Sequence, residues 1–356
     1  MPTSREIYLR RLDSVRERLK SIPADGLYAT PSSNLYYLTG IDFHRSERLT
    51  ALLLFRDADP VVICPAFEER RLRGMSAVEK VVTWQETEDP FAKAAALFPS
   101  ASGTLGIEPS TAFDDVERLL TARSGWGARS AAAMFGALRM VKSADELALM
   151  RHAITVAVPR FQRAFASLEP GKTEAEISTY FGGENVVQFG PSSALPHGAS
   201  GPSRLARDQA VLIDAWDRPD GYYYDITRST WFGKPTDEYR SIWSIVLEAQ
   251  SAGIDRAAPG VPCHEVDAAA RRVIEKAGYG EYFTHRLGHG LGIDVHEPPY
   301  MVGHDRTVLE PGMTFTSEPG IYLPGRFGVR IEDDIVVTER GAESLSPRVE
   351  KLEPIA

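Results

Sequence analysis

The stretch AVLIDAWDRPDGYYYDITRSTWF, residues 210–232, combines the strongest fold signal of this chain with its clearest chemical signal. Two apolar runs flank the sequence RPDG (residues 218–221), and proline followed by Asp-Gly is typical of a turn, so we predict a β-hairpin. If the turn is symmetric about its two central residues, Asp214 lies directly opposite Asp225. Opposed Cβ atoms are separated by roughly 4.5–5.5 Å. Two carboxylates that close repel each other strongly unless a proton or a bound cation neutralises them.

A second hairpin is predicted near the end of the chain. In TFTSEPGIYLPGRFGVRIEDDIVV, residues 314–337, a loop centred on Gly325 places Glu318 opposite Glu332. Two hairpins that each offer a facing pair of acidic residues are difficult to explain as a solvated surface. Oxygen ligands in this number favour a pair of divalent metal ions about 3.5–4 Å apart.

The sequence between the hairpins adds a nitrogen ligand. HRLGHGLGIDVHEPP, residues 285–299, contains three of the eight histidines of the protein. Glycines on both sides of His289 permit close approach of the backbone, and an imidazole nitrogen suits Zn, Mn, Fe or Co. We therefore predict a centre for two divalent metal ions. Its five ligands are Asp214, Asp225, His289, Glu318 and Glu332.

Length and composition limit the classes of function. The 356 residues, 43% of them hydrophobic, suggest two domains, and the formal net charge of −9 argues against nucleic acid as the main partner. No apolar run approaches the roughly 20 residues that span a bilayer. The charged N-terminal segment carries no secretory signal, and Cys64 and Cys263 are not spaced as metal ligands. These features predict a cytoplasmic protein with free thiols and no membrane partner.

Apolar runs and helical patterns indicate how the chain is organised. Short apolar runs alternate with helical stretches between about residues 27 and 109, which predicts a small α/β domain, and NLYYLTG (34–40) is among its predicted strands. We place the domains at residues 1–135 and 136–356. Capping boxes predict three helix starts, at Thr3 with Glu6, Ser143 with Glu146 and Thr173 with Glu176.

Four stretches of the second half resemble the pita-bread metallopeptidases, the group that contains prolidase, aminopeptidase P and methionine aminopeptidase. SNLYYLTGIDFHRSERLTALLLF (33–55) resembles the N-terminal domain shared by prolidases, aminopeptidases P and creatinases. The resemblance implies an α+β pita-bread catalytic domain preceded by a smaller α/β creatinase/prolidase-type N-terminal domain, which would serve substrate access and dimerisation. The four matching stretches are LIDAWDRPDGYYYDITRST (212–230), HRLGHGLGIDVHEPP (285–299), LEPGMTFTSEPGIY (309–322) and GVRIEDDIVVT (328–338).

The resemblance also implies how the ligands divide between the metal ions. Asp225 and Glu332 would bridge both ions, Asp214 would hold one of them, and His289 and Glu318 would hold the other. Manganese is the expected metal, with Co, Zn or Fe as alternatives.

Further catalytic and substrate-binding groups follow from the same resemblance. His285 and His296 match two more active-site histidines, and His296 would stabilise the oxyanion. Glu318 would also pass a proton to the leaving nitrogen. His197, in PSSALPHG (191–198), would lie near the scissile bond.

Two arginines complete the expected substrate site. Arg330 shares a strand face with Glu332, so it would hold a bridging carboxylate or steer an acidic group. Arg45 belongs to a loop of the first half that would reach the active site of the partner in a dimer. We also expect Thr227 to donate a hydrogen bond to Asp225.

The implied activity is hydrolysis of the bond between an N-terminal residue and proline, most simply in Xaa-Pro dipeptides, by a hydroxide that bridges the metals. Aminopeptidase P acting on longer peptides, a metal-independent creatinase-like enzyme and a non-catalytic peptide-binding relative are the alternatives. The partners would be a small peptide and a second copy of the chain. Three departures from the family pattern concern the substrate range. They are Ala215-Trp216 after Asp214, Ser317 before Glu318, and the less regular stretch GENVVQFGPSS (183–193) before the loop of His197.

Overall fold

The computed structural model describes residues 4–20 and 22–356, which form two compact units that divide between Leu138 and Arg139. The strands of the first unit are β1 (Gly26–Ala29), β2 (Ala51–Phe55), β3 (Val61–Pro65), β4 (Lys80–Trp84), β5 (Gly103–Ile107) and β6 (Trp126–Ser130). They form one mixed sheet in the order β4-β3-β2-β1-β5-β6. The helices are α1 (Arg5–Leu19), α2 (Ser33–Thr39), α3 (Glu69–Arg73), α4 (Pro90–Ala95), α5 (Phe113–Ala122) and α6 (Ala132–Arg139).

The prediction of a strand at NLYYLTG is wrong, because these residues belong to helix α2. The Ser32 hydroxyl accepts a hydrogen bond from the Leu35 amide and caps the helix, and Gly40 ends it with a φ of +82°. Local capping therefore outweighs the β propensity of the paired tyrosines. The predicted cap at Thr3 lies outside the described residues.

The second unit contains three sheets. Its strands are β7 (Glu184–Phe189), β8 (Gln209–Asp217), β9 (Tyr224–Phe232), β10 (Gly288–Gly290), β11 (Glu297–Met301), β12 (Thr314–Ser317), β13 (Gly320–Leu323), β14 (Phe327–Arg330), β15 (Asp333–Thr338) and β16 (Gly341–Ser344). The sheet orders are β7-β8-β9, β11-β10-β12-β15-β16 and β13-β14. The helices of this unit are α7 (Ala144–Ala166), α8 (Glu174–Ser178), α9 (Asp237–Arg256) and α10 (Cys263–Lys276), and short 3-10 helices occupy Gly190–Ala194 and Gly280–Tyr282. The first unit has a short 3-10 helix at Ala66–Glu68.

The capping boxes predicted for α7 and α8 are confirmed, at Ser143 with Glu146 and at Thr173 with Glu176. Helices α9 and α10 cover the sheet that carries β12 and β15. Val246 of α9 and Val266 of α10 lie in one apolar core with Phe315 and Ile335 of those strands. In the described part of the chain, no helix combines the length and apolar character that a membrane crossing requires.

The hairpin of residues 210–232 forms with a different register from the one predicted. In β8 and β9, Asp214 pairs with Thr227 and Asp225 pairs with Trp216. The loop spans residues 218–223 rather than a two-residue turn, and Gly221 adopts a φ of +84° within it. Direct opposition of the two aspartates is therefore wrong. Because the shift amounts to two residues, both side chains still point to one face of the hairpin.

The second hairpin keeps the predicted register on both sides of a break. Gly320 pairs with Arg330 in β13 and β14, and Ser317 pairs with Asp333 in β12 and β15. Glu318 and Glu332 lie between these paired segments, outside any regular strand. The break frees the backbone of both glutamates from the ladder while the flanking strands hold them side by side.

Candidate metal centre

Four segments of the second unit bring the predicted ligands to one cavity of about 460 Å³. Asp214 comes from β8, Asp225 from β9 and His289 from β10, while Glu318 and Glu332 come from the breaks that flank β13 and β14. The cavity is lined by Pro196, His197, Asp214, Trp216, Asp225, His285, Arg286, His289, Val295, His296, Glu318, Arg330 and Glu332.

The distances within this cavity suit shared metal ligands. Asp225, His289 and Glu332 each offer a ligand atom within 4.8 Å of the others. The Nε2 atom of His289 lies 3.7 Å from Asp225 Oδ2 and 3.3 Å from Glu318 Oε1. Asp214 completes the set: its Oδ2 is bound by Arg330, while its Oδ1 is buried and forms no hydrogen bond within the described residues. Such an oxygen is satisfied by a cation.

The electrostatics of the cluster also call for cations. Burial raises the pKa of Asp225 well above its ordinary value, and the charges of Glu332 and Asp214 raise it further. Burial likewise raises the pKa of Glu332, with Glu318 as the next cause. Burial raises the pKa of Asp214 too, against the opposing charge of Arg330. Acidic groups that repel one another in a buried site take up either protons or metal ions.

His289 is prepared to act as a ligand through Nε2. Its Nδ1 lies 3.1 Å from the carbonyl oxygen of Gly290. A carbonyl can only accept, so Nδ1 donates its proton there, and Nε2 faces Asp225 and Glu318 with its own proton or, when a metal ion is bound, with its lone pair. Gly290 is required here because a Cβ at this position would lie 2.4 Å from the Pro298 carbonyl oxygen.

Glu318 differs from the other three carboxylates. Burial alone would raise its pKa, but the hydrogen bond and charge of His289 lower the pKa of Glu318 to about 2. Thr316 reinforces the pair, since its hydroxyl accepts from the His289 amide at 3.1 Å and donates to Glu318 Oε1 at 3.1 Å. Thr316 therefore couples the nitrogen ligand to the nearest carboxylate.

Arg330 and Thr227 hold the remaining ligands in place. The Nη2 atom of Arg330 donates to Asp214 Oδ2 at 2.7 Å, and its Nε donates to the Thr227 hydroxyl at 2.9 Å. That hydroxyl donates in turn to Glu332 Oε2 at 2.6 Å. The expected bond from Thr227 to Asp225 is wrong, because Thr227 pairs with Asp214 and points towards Glu332. The Asp225 amide donates instead to the Asp334 carboxylate.

Comparison with known proteins identifies the family of this site. Residues 148–339 match the Metallopeptidase family M24, and residues 11–141 match the Creatinase/Prolidase N-terminal domain. An uncharacterized peptidase of Staphylococcus aureus is 36% identical over 362 aligned positions, which cover 95% of this chain and 99% of that protein. The chain belongs to metallopeptidase family M24.

Solved structures share the architecture of this M24 peptidase. The dipeptidase PepE of Mycobacterium ulcerans is 34% identical, with a TM-score of 0.92 and complete coverage of both chains. A prolidase of Thermococcus sibiricus is 32% identical, with a TM-score of 0.91 over 98% of this chain and 99% of that one. The predicted fold, a pita-bread catalytic domain after a creatinase/prolidase-type N-terminal domain, is confirmed. Membership of family M24 implies divalent metal ions, for which the ligand cluster provides the site.

His285 lies at one wall of the M24 cavity in a chain of hydrogen bonds. Its Nδ1 donates to the Arg286 carbonyl oxygen at 2.8 Å, and its Nε2 lies 2.8 Å from the Tyr322 hydroxyl. The same hydroxyl accepts from Arg330 Nη1 at 2.9 Å, so its own proton points to His285. Burial lowers the pKa of His285, which keeps the ring neutral.

His296 and His197 are more loosely placed. The His296 ring stands edge-on to the His289 ring with centroids 4.2 Å apart, and burial with the nearby charge of His289 lowers the pKa of His296 to about 4. His197 is exposed at the cavity, on a loop whose Leu195 carbonyl accepts from the Gln188 amide. Both histidines line the cavity as predicted, and their roles stay predictions.

Arg45 is placed differently from every other predicted residue, because it belongs to the first unit. Its guanidinium lies 3.8 Å from Asp115 Oδ2 of helix α5. The predicted function of Arg45 depends on a second chain and stays a prediction.

Sequence reasoning missed three residues of the site. Tyr322 and Thr316 have hydroxyls that connect ligand-bearing segments, and they carry no motif signal beyond their proximity to Glu318. Arg286 lines the cavity with its guanidinium 4.7 Å from the centre of the Tyr300 ring. The signal for Arg286 was its position next to His285 in a histidine-rich motif.

Proposed function

We propose that this M24 peptidase hydrolyses the bond between an N-terminal residue and proline in Xaa-Pro dipeptides, using two divalent metal ions. The observation that carries the proposal is the set of five candidate ligands in one cavity, with a buried Asp214 oxygen that lacks a partner among the described residues and a His289 Nε2 atom directed at two carboxylates. The similarity to a dipeptidase and a prolidase supports the substrate class.

The donor set fits two cations. Four carboxylates and one neutral imidazole bring a charge of about −4, which two divalent ions neutralise. Asp225 and Glu332 would lie between the ions, Asp214 would hold one, and His289 and Glu318 would hold the other. When bound, such a pair supplies a water of lowered pKa and polarises the carbonyl of the scissile bond.

The side chains of the protein would carry the proton and the developing charge. Glu318 Oε1 faces both Thr316 and His289, which leaves Oε2 to take a proton and deliver it to the leaving proline nitrogen. His296 is neutral near pH 7, so its ring can donate a hydrogen bond to the carbonyl oxygen of the substrate. Tyr322 keeps the neutral His285 ring oriented towards the cavity.

Arg286 supports a preference for dipeptides. A dipeptide presents a carboxylate directly after proline, and that group needs a cation inside the cavity. Arg330 is already engaged with Asp214, whereas Arg286 has no ion pair among the described residues. Arg286 would therefore receive the substrate carboxylate, and Arg45 of a partner chain would be a second anchor.

Manganese, the homodimer and the cytoplasmic location expected from the sequence belong to the same proposal. Oxygen-rich donor sets with one imidazole suit Mn²⁺. Metal analysis of the purified protein and light scattering would test the first two.

The deciding experiment compares substrates on the purified protein after metal removal and addition of Mn²⁺ or Co²⁺. We expect hydrolysis of Ala-Pro, and hydrolysis of Ala-Pro-Ala at least about tenfold more slowly, since one misplaced charge costs more than about 1.4 kcal/mol. Faster cleavage of Ala-Pro-Ala would assign the protein as an aminopeptidase P. No cleavage of either peptide with any metal would overturn the proposal.

A further inference from the structure

The position of the His296 ring depends on its loop rather than on bonds of its own. His285 is held by Arg286 and Tyr322, and the His289 ring is held by Gly290. Within the described residues, the His296 ring forms no comparable hydrogen bond, and its residue is exposed. The loop of residues 291–296 must therefore be fixed by something else.

The loop is folded around the carboxylate of the next residue, Glu297. The Asp294 amide donates to Glu297 Oε2 at 3.3 Å, and the Gly292 amide donates to the Asp294 carbonyl oxygen at 3.0 Å. A Cβ at Gly292 would lie 2.7 Å from Glu297 Oε1 and 3.0 Å from Lys142 Cε. The loop thus packs directly against a buried ion pair.

Two buried cations hold the Glu297 carboxylate. Lys142 Nζ lies 2.8 Å from Glu297 Oε1, and Arg139 Nη2 contacts Glu297 Oε2. The Arg139 guanidinium also donates to Asp294 Oδ2 at 2.6 Å, so it connects a residue within the loop to the Glu297 carboxylate that follows the loop. The side chains of Lys142 and Glu297 are only 1% and 4% exposed. Burial would raise the pKa of Glu297, but Lys142 and Arg139 outweigh it and lower that pKa, so the carboxylate is charged.

We propose that Lys142 and Arg139 are positioning residues for His296, acting through the Glu297 carboxylate. In this network the two cationic side chains balance the two carboxylates. Removing one partner leaves an uncompensated charge in a buried site. The loop then relaxes, and the His296 ring moves away from the scissile carbonyl of the substrate. This inference rests on the proposed function, because it assigns His296 a place in the hydrolysis of Xaa-Pro peptides.

The test compares single and double mutants with Ala-Pro as substrate. We expect Glu297→Gln and Lys142→Met each to lower kcat about 10–100-fold, while KM and bound Mn²⁺ change less than about twofold. Lys142→Arg, which keeps the charge, should recover most of the loss. Glu265→Gln is the matched control, because it removes an ion pair with Arg256 outside the cavity and should change nothing.

The His296→Ala background separates positioning from general stability. If Glu297 acts through His296, adding Glu297→Gln to His296→Ala should lower kcat less than about twofold further, since coupled residues are not additive. If the double mutant instead lost kcat by the product of the two single-mutant factors, the proposal would be overturned. If Glu297→Gln does not fold, Asp294→Asn perturbs the half-exposed end of the same network, and the same criterion applies.

A readout independent of activity is amide hydrogen exchange in the metal-free protein. We expect residues 291–297 to exchange faster in Glu297→Gln and Lys142→Met than in the unaltered protein, with little change in α9. Unchanged exchange in this segment would overturn the proposal even if activity fell. An unaltered protein that cleaves no Xaa-Pro peptide would instead remove the proposed function, which distinguishes the two failures.

Discussion

The ligand cluster and the rim of the cavity are built in different ways. Every candidate ligand of the cluster is on or beside a strand, and Thr227, Thr316 and Arg330 orient the carboxylates of Glu332, Glu318 and Asp214, respectively. The rim residues His197 and His296 are on loops and exposed. The difference teaches that the candidate metal ligands are built into the sheets, whereas the candidate substrate-binding residues lie on segments that can vary with little effect on the fold.

The largest expected effect is the loss of a ligand from the cluster. Asp225→Asn should lower kcat/KM for Ala-Pro by at least about 10³-fold and reduce bound metal. The reason is that a neutral amide cannot offset the positive charge of the two metal ions that the Asp225 carboxylate would hold. Activity assays and metal analysis check this. Asp217→Asn on the same hairpin is the control, since Asp217 pairs with Arg160 and does not line the cavity. Full activity in Asp225→Asn would contradict the ligand assignment.

A smaller effect is expected where the cluster meets its support. Arg330→Lys should lower Mn²⁺ affinity or kcat about 10–100-fold, because lysine cannot reach Asp214, Thr227 and Tyr322 together. Titration calorimetry with Mn²⁺ and steady-state kinetics separate the two effects. If Arg330→Lys had the Mn²⁺ affinity and the kcat of the unaltered protein, Arg330 would not be needed to position the cluster.

At the rim, Arg286→Ala should raise KM for Ala-Pro about tenfold, with little change in metal content. The reason is the loss of one charge-assisted contact to the substrate carboxylate. The amide of Ala-Pro lacks that carboxylate, so its hydrolysis should be nearly the same in both proteins. An equal loss on both substrates would argue that Arg286 has a structural role.

The pH dependence of stability tests the cluster without substrate. In metal-free protein, Asp214, Asp225 and Glu332 keep their protons to a higher pH than the unfolded chain does. Above the ordinary carboxyl pKa of about 4, the unfolded chain therefore releases protons that the folded protein retains, and the free energy of unfolding falls as pH rises towards neutrality. Glu318, with a pKa of about 2, acts in the opposite direction, since its contribution is present above the ordinary pKa and lost towards pH 2.

We therefore expect the Tm of metal-free protein to fall between pH 5 and 8, by a few degrees if the net change is about 1 kcal/mol. Added Mn²⁺ should remove this fall, because the cations take the place of the protons. Thermal melts across that range, with and without metal, check both statements. If the Tm changed with pH in the same way with and without Mn²⁺, the result would contradict the raised pKa values.

The sequence was sufficient to select the five side chains that meet in the cavity, because each belongs to a short motif with a chemical reason, and their role as ligands stays a prediction. The paired acidic residues and the glycine-flanked His289 could be read without knowing the exact strand pairing. The register of β8 and β9 could not, because the length of the loop at residues 218–223 depends on the conformation at Gly221. A run of apolar residues likewise did not distinguish helix α2 from a strand, since the capping hydroxyl of Ser32 decided it.

The residues missed at the site share one physical property. Tyr322 and Thr316 act through hydroxyls whose partners are distant in sequence or set by the strand register, so only the folded structure brings the partners together. Lys142 was visible only as the residue before a helix cap, and its contact with Glu297 spans more than half of the second unit in sequence. Local patterns contain no information on such pairs.

The two-residue shift in the β8–β9 hairpin has a consequence for how this loop can change. Side chains alternate along a strand, so sliding one strand by two positions returns Asp214 and Asp225 to the metal-facing side, whereas sliding by one would turn one of them away. Insertions or deletions that move the register are therefore tolerated in even steps, and an odd step needs a bulge to absorb the extra residue. A change in the length of the loop at residues 218–223 therefore leaves both aspartates on the same face as long as it shifts the pairing of β8 with β9 by an even number of residues or not at all.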